Sequence, residues 1–234
     1  MGAPSSNGSA ARSLGAVLTR AGISLLAHIV TGARAVYHDG HEIADLPGPD
    51  RPRIYFANHR SHGDFVLLWS VLPAALRRRT RPVAGADYWQ GSGLRRFIGN
   101  DVFNAVLIER DAAERVADPV TQMADAVAEG ASLILFPEGT RNTGPEKLMP
   151  FRTGLFHLAD TLARRNLEAD FIPVWIDNLN RVMPKGEAVP VPLLCKVHFG
   201  AAIPLAENET KDTYLTRTRE ALLALSSEDR GTDG

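Results

Sequence analysis

The chain has little cysteine, almost no net charge and no long run of apolar residues. A single cysteine, Cys195, is present among 234 residues, which excludes an intramolecular disulfide framework and suits a reducing compartment. It lies in a strand-like run and is expected in the core. The 26 basic and 27 acidic side chains give a formal net charge of −1, so nothing global indicates nucleic acid as a partner. Residues 1–12 are small and polar, so we expect a flexible N-terminus without a secretory signal.

Residues 13–36 predict an amphipathic helix that contacts a membrane. One apolar stripe at helical spacing is formed by Leu14, Val17, Leu18, Ala21, Leu25 and Ile29. Arg20 lies near the middle, where full insertion would cost about 2.5–3.5 kcal/mol. Three placements stay open: a helix lying in the membrane surface, a helix packed on its own domain, and a membrane span. We favour the first, which predicts a peripheral protein on the cytoplasmic face of the membrane.

Strand and helix patterns alternate over residues 37–225. The strand candidates share short apolar runs and lie at 53–57, 83–86, 104–108, 132–136, 171–176 and 193–200. The helix candidates lie at 65–72, from Asp118 to Gly130, and at about 154–166 and 211–225. The alternation predicts a single α/β domain, a sheet covered by helices, followed by a flexible tail at 226–234.

The segment "NHRSHGD", residues 58–64, places two histidines, a serine and an aspartate directly after a predicted strand. Ser61 and Asp64 have the S-x-x-D spacing of a capping box at the start of the next helix. Capping explains these two residues, but it does not explain His59.

Three chemical interpretations of this segment remain. A metal site of His59, His62 and Asp64 would need further ligands, and the other histidines show no paired spacing. A Ser61 nucleophile lacks the G-x-S-x-G elbow, and capping would occupy its hydroxyl. In a His59–Asp64 dyad, the carboxylate accepts from Nδ1–H and leaves Nε2 as a general base toward a bound alcohol. The residues favour the dyad, and a metal-dependent hydrolase stays as an alternative.

Cations follow two of the predicted strands and indicate recognition of an anion. Arg110 closes "VLIER" and Arg141 closes "FPEGTR", while Lys147 and Arg152 flank the loop after Arg141. A guanidinium group suits bidentate contact with phosphate or carboxylate. Sheets of α/β proteins bind ligands beyond the carboxyl ends of their strands, which is where these arginines are expected.

The basic run "RRRTR", residues 77–81, follows a predicted helix. Its expected role is a solvated face. A weaker alternative is docking of an acidic carrier protein or of anionic lipid headgroups.

These motifs resemble those of the PlsC-type 1-acylglycerol-3-phosphate acyltransferases, the lysophosphatidic acid acyltransferases. "NHRSHGD" is similar to the family's NH-x-S-x-x-D block and "FPEGTR" to its third block. Arg110 matches the arginine that closes the second block. "IPVWI" (172–176) is similar to the fourth block, and "PFRTG" (150–154) to the segment after the third. The resemblance covers roughly residues 30–205.

The resemblance implies that His59 is the general base and that Asp64 orients it. It also implies that the phosphorylated acceptor is held by residues that include Arg110, Glu138, Gly139 and Arg141. We add Lys147 and Arg152 as further candidates from the adjacent loop.

The resemblance further implies transfer of a fatty acyl group to the free hydroxyl of lysophosphatidate in phospholipid synthesis. Acyl carrier protein or coenzyme A would carry the acyl group as a co-substrate, with no cofactor and no metal. The implied fold is an α/β sandwich of the glycerolipid acyltransferase type with an N-terminal membrane-contacting helix. Another lysolipid acceptor, and a catalytically silent lipid-binding protein, remain as alternatives, although the intact dyad argues against the second.

Overall fold

The computed structural model describes residues 15, 18–20, 22–23, 32–38, 51–89, 91–109, 117–177 and 195–226. The strands are β1 (Arg34–Tyr37), β2 (Arg53–Ala57), β3 (Thr80–Gly85), β4 (Val106–Ile108), β5 (Ser132–Leu135), β6 (Asp170–Ile176) and β7 (Lys196–Phe199). The helices are α1 (Asp64–Val71), α2 (Ala74–Arg79), α3 (Ala86–Trp89), α4 (Gly93–Arg96), α5 (Pro119–Ala128), α6 (Gly154–Arg164) and α7 (Lys211–Leu225), and a π-helical segment (Phe97–Val102) follows α4.

The described strands form one sheet in the order β1-β7-β6-β2-β5-β3-β4. Strand β2 is central and runs parallel to both β5 and β6, with Tyr55 opposite Ile134 and Ile172. Strand β7 runs antiparallel to β6 and parallel to β1. The carboxyl ends of β2, β3, β4, β5 and β6 therefore share one edge of the sheet, where ligands of α/β proteins usually bind.

Helices cover both faces of the sheet, as side-chain alternation along β2 shows. Ile54 and Phe56 lie in the core beneath α5, α6 and α7. Tyr55 and Ala57 point the other way, into the core beneath α1 and α2. All four side chains are fully buried. Burying a side chain the size of Ile or Phe contributes about 1.5–3 kcal/mol, which fixes the register of the strand that carries the candidate site.

The local signals in the sequence predicted several elements correctly. Strand β2 and helix α7 have the expected bounds. Helix α5 begins as expected: the Asp118 carboxylate accepts a hydrogen bond from the Thr121 N–H at 2.9 Å, and Pro119 is the first helical residue. Gly130 follows the helix with a φ of 84°, a conformation that favours glycine. Cys195 is fully buried, as expected of a core residue.

The sequence interpretation of the fold differs from the structure at the N-terminal helix and at the basic run. The helix predicted over 13–36 does not extend to its end, because Arg34–Tyr37 forms β1 and pairs with β7. The described residues at 15, 18–20 and 22–23 are helical, and the rest of that prediction lies outside the described residues.

The basic run at 77–81 is a solvated face only in part: Arg78 is exposed, whereas Arg77, Arg79 and Arg81 are half-buried. It ends α2 and begins β3, with Thr80 opposite Ser132 in the sheet and fully buried. The pairing partner is distant in sequence, and such pairing overrides local propensity.

In the part of the chain that the structure describes, no helix is long and apolar enough to cross a bilayer.

Candidate active site

Two loops meet at the carboxyl edge of the sheet. The first, residues 58–63, joins β2 to α1, and the second, residues 136–153, joins β5 to α6. Because β2 and β5 are neighbours, the loops lie side by side, and the Asn142 N–H donates to the His59 carbonyl at 2.7 Å. The two best motifs of the sequence are therefore halves of one site.

The His59–Asp64 dyad is formed. His59 Nδ1 lies 2.9 Å from Asp64 Oδ2, and the exposed fractions of the two side chains are 20% and 2%. An ionised carboxylate can only accept, so Nδ1 donates and the lone pair of the imidazole resides on Nε2. The same Oδ2 accepts from the backbone N–H groups of Arg60 at 2.6 Å and Ser61 at 2.8 Å. These three donors stabilise negative charge on Asp64 at the start of α1, where the helix dipole favours it as well.

The capping prediction was half right. Asp64 reaches back to the Ser61 N–H, as the acidic member of a capping box does. The Ser61 hydroxyl, however, accepts from the Gly63 N–H at 3.2 Å, two residues ahead, and no side chain caps the first turn of α1. Asp64 thus accepts hydrogen bonds both from the backbone that precedes α1 and from the imidazole of His59.

Phe136, which the sequence analysis missed, stacks on the imidazole of His59. The ring centroids are 4.1 Å apart and the planes differ by 16°. Phe136 directly follows β5, whose last residue, Leu135, pairs with Phe56 of β2. An aromatic residue at the exit of the neighbouring strand was the signal available in the sequence. The stack and the Asp64 bond together restrict the imidazole to one orientation.

Glu138 ties the two loops together. Its side chain is buried, Oε1 accepts from the His59 N–H at 2.8 Å, and Oε2 accepts from the Met149 N–H at 2.9 Å. Burial raises the pKa of the Glu138 carboxyl, and the two N–H donors oppose that shift. Both oxygens are therefore engaged with backbone. In this structure Glu138 holds the loop that carries His59, and its contact with the acceptor stays a prediction.

Gly139 permits a close crossing of two chain segments. Its φ is 71°, and a Cβ atom at this position would lie 2.4 Å from both Cδ and Nε of Arg152. The Arg152 N–H donates to the Pro137 carbonyl at 2.8 Å, which fixes the crossing. The positive φ favours glycine here, and a Cβ atom would also require the Arg152 side chain to move.

A cavity of about 610 Å³ opens beside His59. Its apolar wall contains Phe65, Val83, Ile108, Met123, Leu135 and Leu155. Its cations are Arg95, Arg141 and Arg152. The exposed His62 also lines the cavity, and partial burial, followed by the positive charge of Arg141, lowers the pKa of its imidazole. An apolar wall beside clustered cations suits a molecule with a hydrocarbon chain and an anionic head.

The structure brings most, but not all, of the predicted site residues to this cavity. His59, Gly139, Arg141 and Arg152 line it. Lys147 does not: its Nζ lies 3.4 Å from Ser226 Oγ, just beyond the end of α7, so the structure does not place it with the other candidates. Arg110 lies outside the described residues, although Ile108 of the same motif lines the cavity.

Arg95 is a further cation of the cavity that the sequence analysis missed. It belongs to the short helix α4, which Ser92 caps by accepting from the Arg95 N–H at 3.3 Å. It follows no strand, so the rule that placed arginines at strand ends could not find it. The serine before the helix was the available signal.

The metal alternative can be compared with this geometry. Among the described residues, no three His, Cys, Asp or Glu side chains are grouped so that they could hold a metal ion. Asp64 Oδ2 already accepts three hydrogen bonds. The arrangement fits an orienting carboxylate better than a metal ligand.

Comparisons with known proteins show the family of this chain. A family model described as Acyltransferase matches residues 30–177, and the chain therefore belongs to that acyltransferase family. A 1-acyl-sn-glycerol-3-phosphate acyltransferase of Chlamydomonas reinhardtii is 30% identical over 145 residues, which are 61% of this chain and 39% of that protein. A protein of the same name from Haemophilus influenzae is 30% identical over 113 residues, 45% of this chain and 42% of that one. The matches thus span about two fifths of each relative's length.

The fold is also that of a solved structure. The crystal structure of the 1-acyl-sn-glycerophosphate (LPA) acyltransferase PlsC from Thermotoga maritima matches with a TM-score of 0.66 at 18% identity. The match covers 92% of this chain and 81% of that chain. The predicted single α/β domain of the glycerolipid acyltransferase type is confirmed.

Proposed function

We propose that this protein transfers a fatty acyl group from an acyl thioester to the free hydroxyl of lysophosphatidate. The observation that carries the proposal is the 2.9 Å contact between His59 Nδ1 and Asp64 Oδ2 at the wall of an amphipathic cavity. The names of the relatives from Chlamydomonas reinhardtii and Haemophilus influenzae support the choice of acceptor.

In the proposed reaction, the acceptor hydroxyl gives its proton to His59 Nε2 while its oxygen forms a bond with the thioester carbonyl carbon. The C–S bond then breaks, and the departing sulfur takes the proton from the imidazolium. Asp64 stabilises the positive charge that His59 carries between these steps. The thioester supplies its own leaving group, so the reaction needs no cofactor and no acylated enzyme.

The cavity provides a place for each part of the substrates. Arg141 and Arg152 offer donors to the phosphate of the acceptor, and the apolar wall that includes Met123 and Leu155 suits the fatty chain. Acyl carrier protein or coenzyme A is the carrier in this proposal, and phosphatidate is the product. The protein would act as a peripheral enzyme on the cytoplasmic face of the membrane, where its lipid acceptor resides.

The test is mass-spectrometric detection of phosphatidate from lysophosphatidate with acyl-coenzyme A or acyl carrier protein as donor. We expect His59→Ala to lose about 10²–10⁴-fold in kcat, the range of general-base catalysis, with acceptor binding retained. His62→Ala is the matched control and should keep most of the turnover. Near wild-type turnover by His59→Ala would refute the assignment. Lysophosphatidylglycerol, lysophosphatidylethanolamine and glycerol 3-phosphate as parallel acceptors would show whether another substrate is preferred.

A further inference from the structure

The ring of Phe136 lies face to face with the imidazole of the proposed general base. The centroids of Phe136 and His59 are 4.1 Å apart, and the two ring planes differ by 16°. Phe136 is half-buried and lines the same cavity as His59. The face of a phenyl ring carries negative electrostatic potential, and here that face is turned toward the imidazole.

Backbone and side-chain hydrogen bonds hold both rings in this arrangement. Phe136 directly follows β5, and its carbonyl accepts from the Gly139 N–H at 3.0 Å. The N–H of His59 donates to Glu138 at 2.8 Å, and its Nδ1 donates to Asp64 at 2.9 Å. Because all of these partners belong to the protein, the stack is formed before a substrate binds and costs no reorganisation during the reaction.

The charge of the imidazole changes during the proposed reaction. His59 is neutral when it accepts the hydroxyl proton, and it stays positively charged until it gives that proton to the sulfur. A phenyl face attracts a cation that lies within about 6 Å of its centroid. Phe136 therefore stabilises the imidazolium more than the neutral imidazole, and only a difference of this kind accelerates a reaction.

The charges of the cavity explain why a neutral ring suits this position. Arg141 and Arg152 line the cavity together with His59, and their positive charge opposes a further positive charge on the imidazole. Asp64 offsets part of this repulsion from the Nδ1 side. A second carboxylate beside the imidazole would also repel the phosphate that the arginines are proposed to bind. A phenyl face stabilises the imidazolium without adding negative charge.

We propose that Phe136 is a positioning residue that stabilises the imidazolium form of His59 through the face of its ring and thereby increases the rate of acyl transfer. The inference rests on the proposed function, because the imidazolium is an intermediate of that reaction. Phe136 acts through His59 and needs no contact with either substrate. Loss of its ring should therefore lower kcat while the KM for lysophosphatidate stays close to the parent value.

The first test removes the aromatic ring and keeps an apolar side chain. Phe136→Leu should lower kcat by about 2- to 30-fold, the range of a cation–π contact from exposed to desolvated sites. Phe156→Leu is the matched control, because Phe156 is also half-buried and contacts another aromatic ring, that of Tyr214 at 6.1 Å. Phe156 does not line the cavity, so its variant should keep the parent kcat. Equal kcat values in the two variants would overturn the proposal.

A second set of variants keeps the shape of the ring and changes its electrostatic potential. Fluorine withdraws electron density from the face of a phenyl ring, so mono-, di- and trifluorophenylalanine at position 136 should weaken the attraction of a cation stepwise. We expect kcat to fall with each fluorine at position 136 and to stay constant for the same residues at position 156. These variants decide the question even if Phe136→Leu does not fold. A kcat that does not depend on the number of fluorines would overturn the proposal.

Chemical labelling of His59 provides a measurement that needs no acyl transfer. Diethyl pyrocarbonate transfers an ethoxycarbonyl group to Nε2 as ethyl carbonate leaves, and the imidazole becomes positively charged until its Nδ1 proton is lost. At pH 8, ordinary imidazoles are neutral before the reaction. Each fluorine at position 136 should slow the labelling of His59, measured by peptide mass spectrometry. Labelling of His157, an exposed histidine on α6, should stay constant in the same samples.

The combined results separate this inference from the proposed function. If the parent chain transfers no acyl group but fluorine at position 136 slows the labelling of His59, the proposed function fails and the effect of Phe136 on the imidazolium is supported. If the parent chain is active and neither kcat nor labelling responds to fluorine, the proposed function stands and this inference is overturned. A lower kcat with unchanged labelling would also overturn it, because Phe136 would then act on a substrate.

Discussion

The Asn58 side chain and the backbone of Ile176 bond to each other twice. Asn58 Nδ2 donates to the Ile176 carbonyl at 3.0 Å, and Asn58 Oδ1 accepts from the Ile176 N–H at 2.7 Å. Asn58 is buried and directly precedes His59, while Ile176 is the last residue of β6. This pair holds the start of the loop that carries His59 against the neighbouring strand.

Asn58→Ala should therefore destabilise the protein. The backbone N–H and carbonyl of Ile176 would be left buried without a partner, which costs about 1–3 kcal/mol in the free energy of unfolding. Urea denaturation measures this change, and Asn100→Ala, at an exposed position, is the control. An equal, small effect of the two substitutions would show that the Asn58 bonds are dispensable.

Arg141 and Lys147 should differ in their importance for the acceptor. Arg141 lines the cavity beside His59, whereas Lys147 lies near Ser226. A hydrogen bond to a charged group is worth about 1.5–3 kcal/mol, so Arg141→Ala should raise the KM for lysophosphatidate by about tenfold or more. Lys147→Ala should leave that KM unchanged. Steady-state kinetics with varied lysophosphatidate measures both KM values. A larger increase in KM for Lys147→Ala than for Arg141→Ala would contradict the placement of the phosphate beside Arg141.

A comparison of Gly139 with Gly130 separates the effect of backbone strain from the effect of a steric clash. Both have a positive φ, 71° and 84°, but a Cβ atom at Gly130 meets nothing within 4 Å. Gly130→Ala should lower the free energy of unfolding by about 1–3 kcal/mol through strain alone and leave the KM for lysophosphatidate unchanged. Gly139→Ala must also displace Arg152, so it should raise that KM. If the double variant Gly139→Ala/Arg152→Ala had a higher KM than Arg152→Ala alone, displacement of Arg152 would not be the whole cause.

Cys195 should resist thiol reagents in the native protein. Burial, together with the negative charge of Asp177, raises the pKa of its thiol from 9.0 to about 11. At pH 8 the thiolate would then be about one part in a thousand, and the side chain is inaccessible as well. Reaction with a chromogenic disulfide measures this, with the urea-unfolded chain as the reference. Rapid native labelling at pH 8 would contradict it.

The raised pKa of Cys195 also determines how the free energy of unfolding changes at alkaline pH. The folded state holds the Cys195 proton more tightly than the unfolded chain does. Its contribution to the free energy of unfolding is therefore complete below pH 9 and is lost as the pH rises toward about 11. Cys195→Ser compared with the parent chain over this range isolates the contribution.

The sequence predicted most reliably what depends on residues close together in the chain. The dyad spans five positions, and the cap of α5 spans three, so spacing alone was enough to find both. Strand β1 could not be predicted in the same way, because Arg34–Tyr37 becomes a strand through pairing with Lys196–Phe199. Only the folded sheet brings these segments together.

Spacing rules did not give the positions of several candidate site residues, for the same reason. Glu138 resembles a ligand-binding residue in sequence, but its carboxylate is occupied by two backbone N–H groups, one of which belongs to His59. The orientation of the Lys147 side chain depends on how the loop of residues 136–153 packs against the end of α7. Arg95 reaches the cavity from a short helix that carries no strand signal. Each outcome is set by loop packing, which spacing rules do not describe.

The position of Glu138 has a mechanical consequence. The Glu138 carboxylate joins the peptide N–H of His59 to that of Met149, so it links the loop that carries His59 to the loop that carries Arg141. A phosphate that draws Arg141 inward would also pull on the imidazole through this linkage. If the proposed acyl transfer is correct, phosphate binding and the alignment of His59 would then be coupled, and an acceptor without a phosphate would leave the imidazole poorly oriented even when its hydroxyl is within reach.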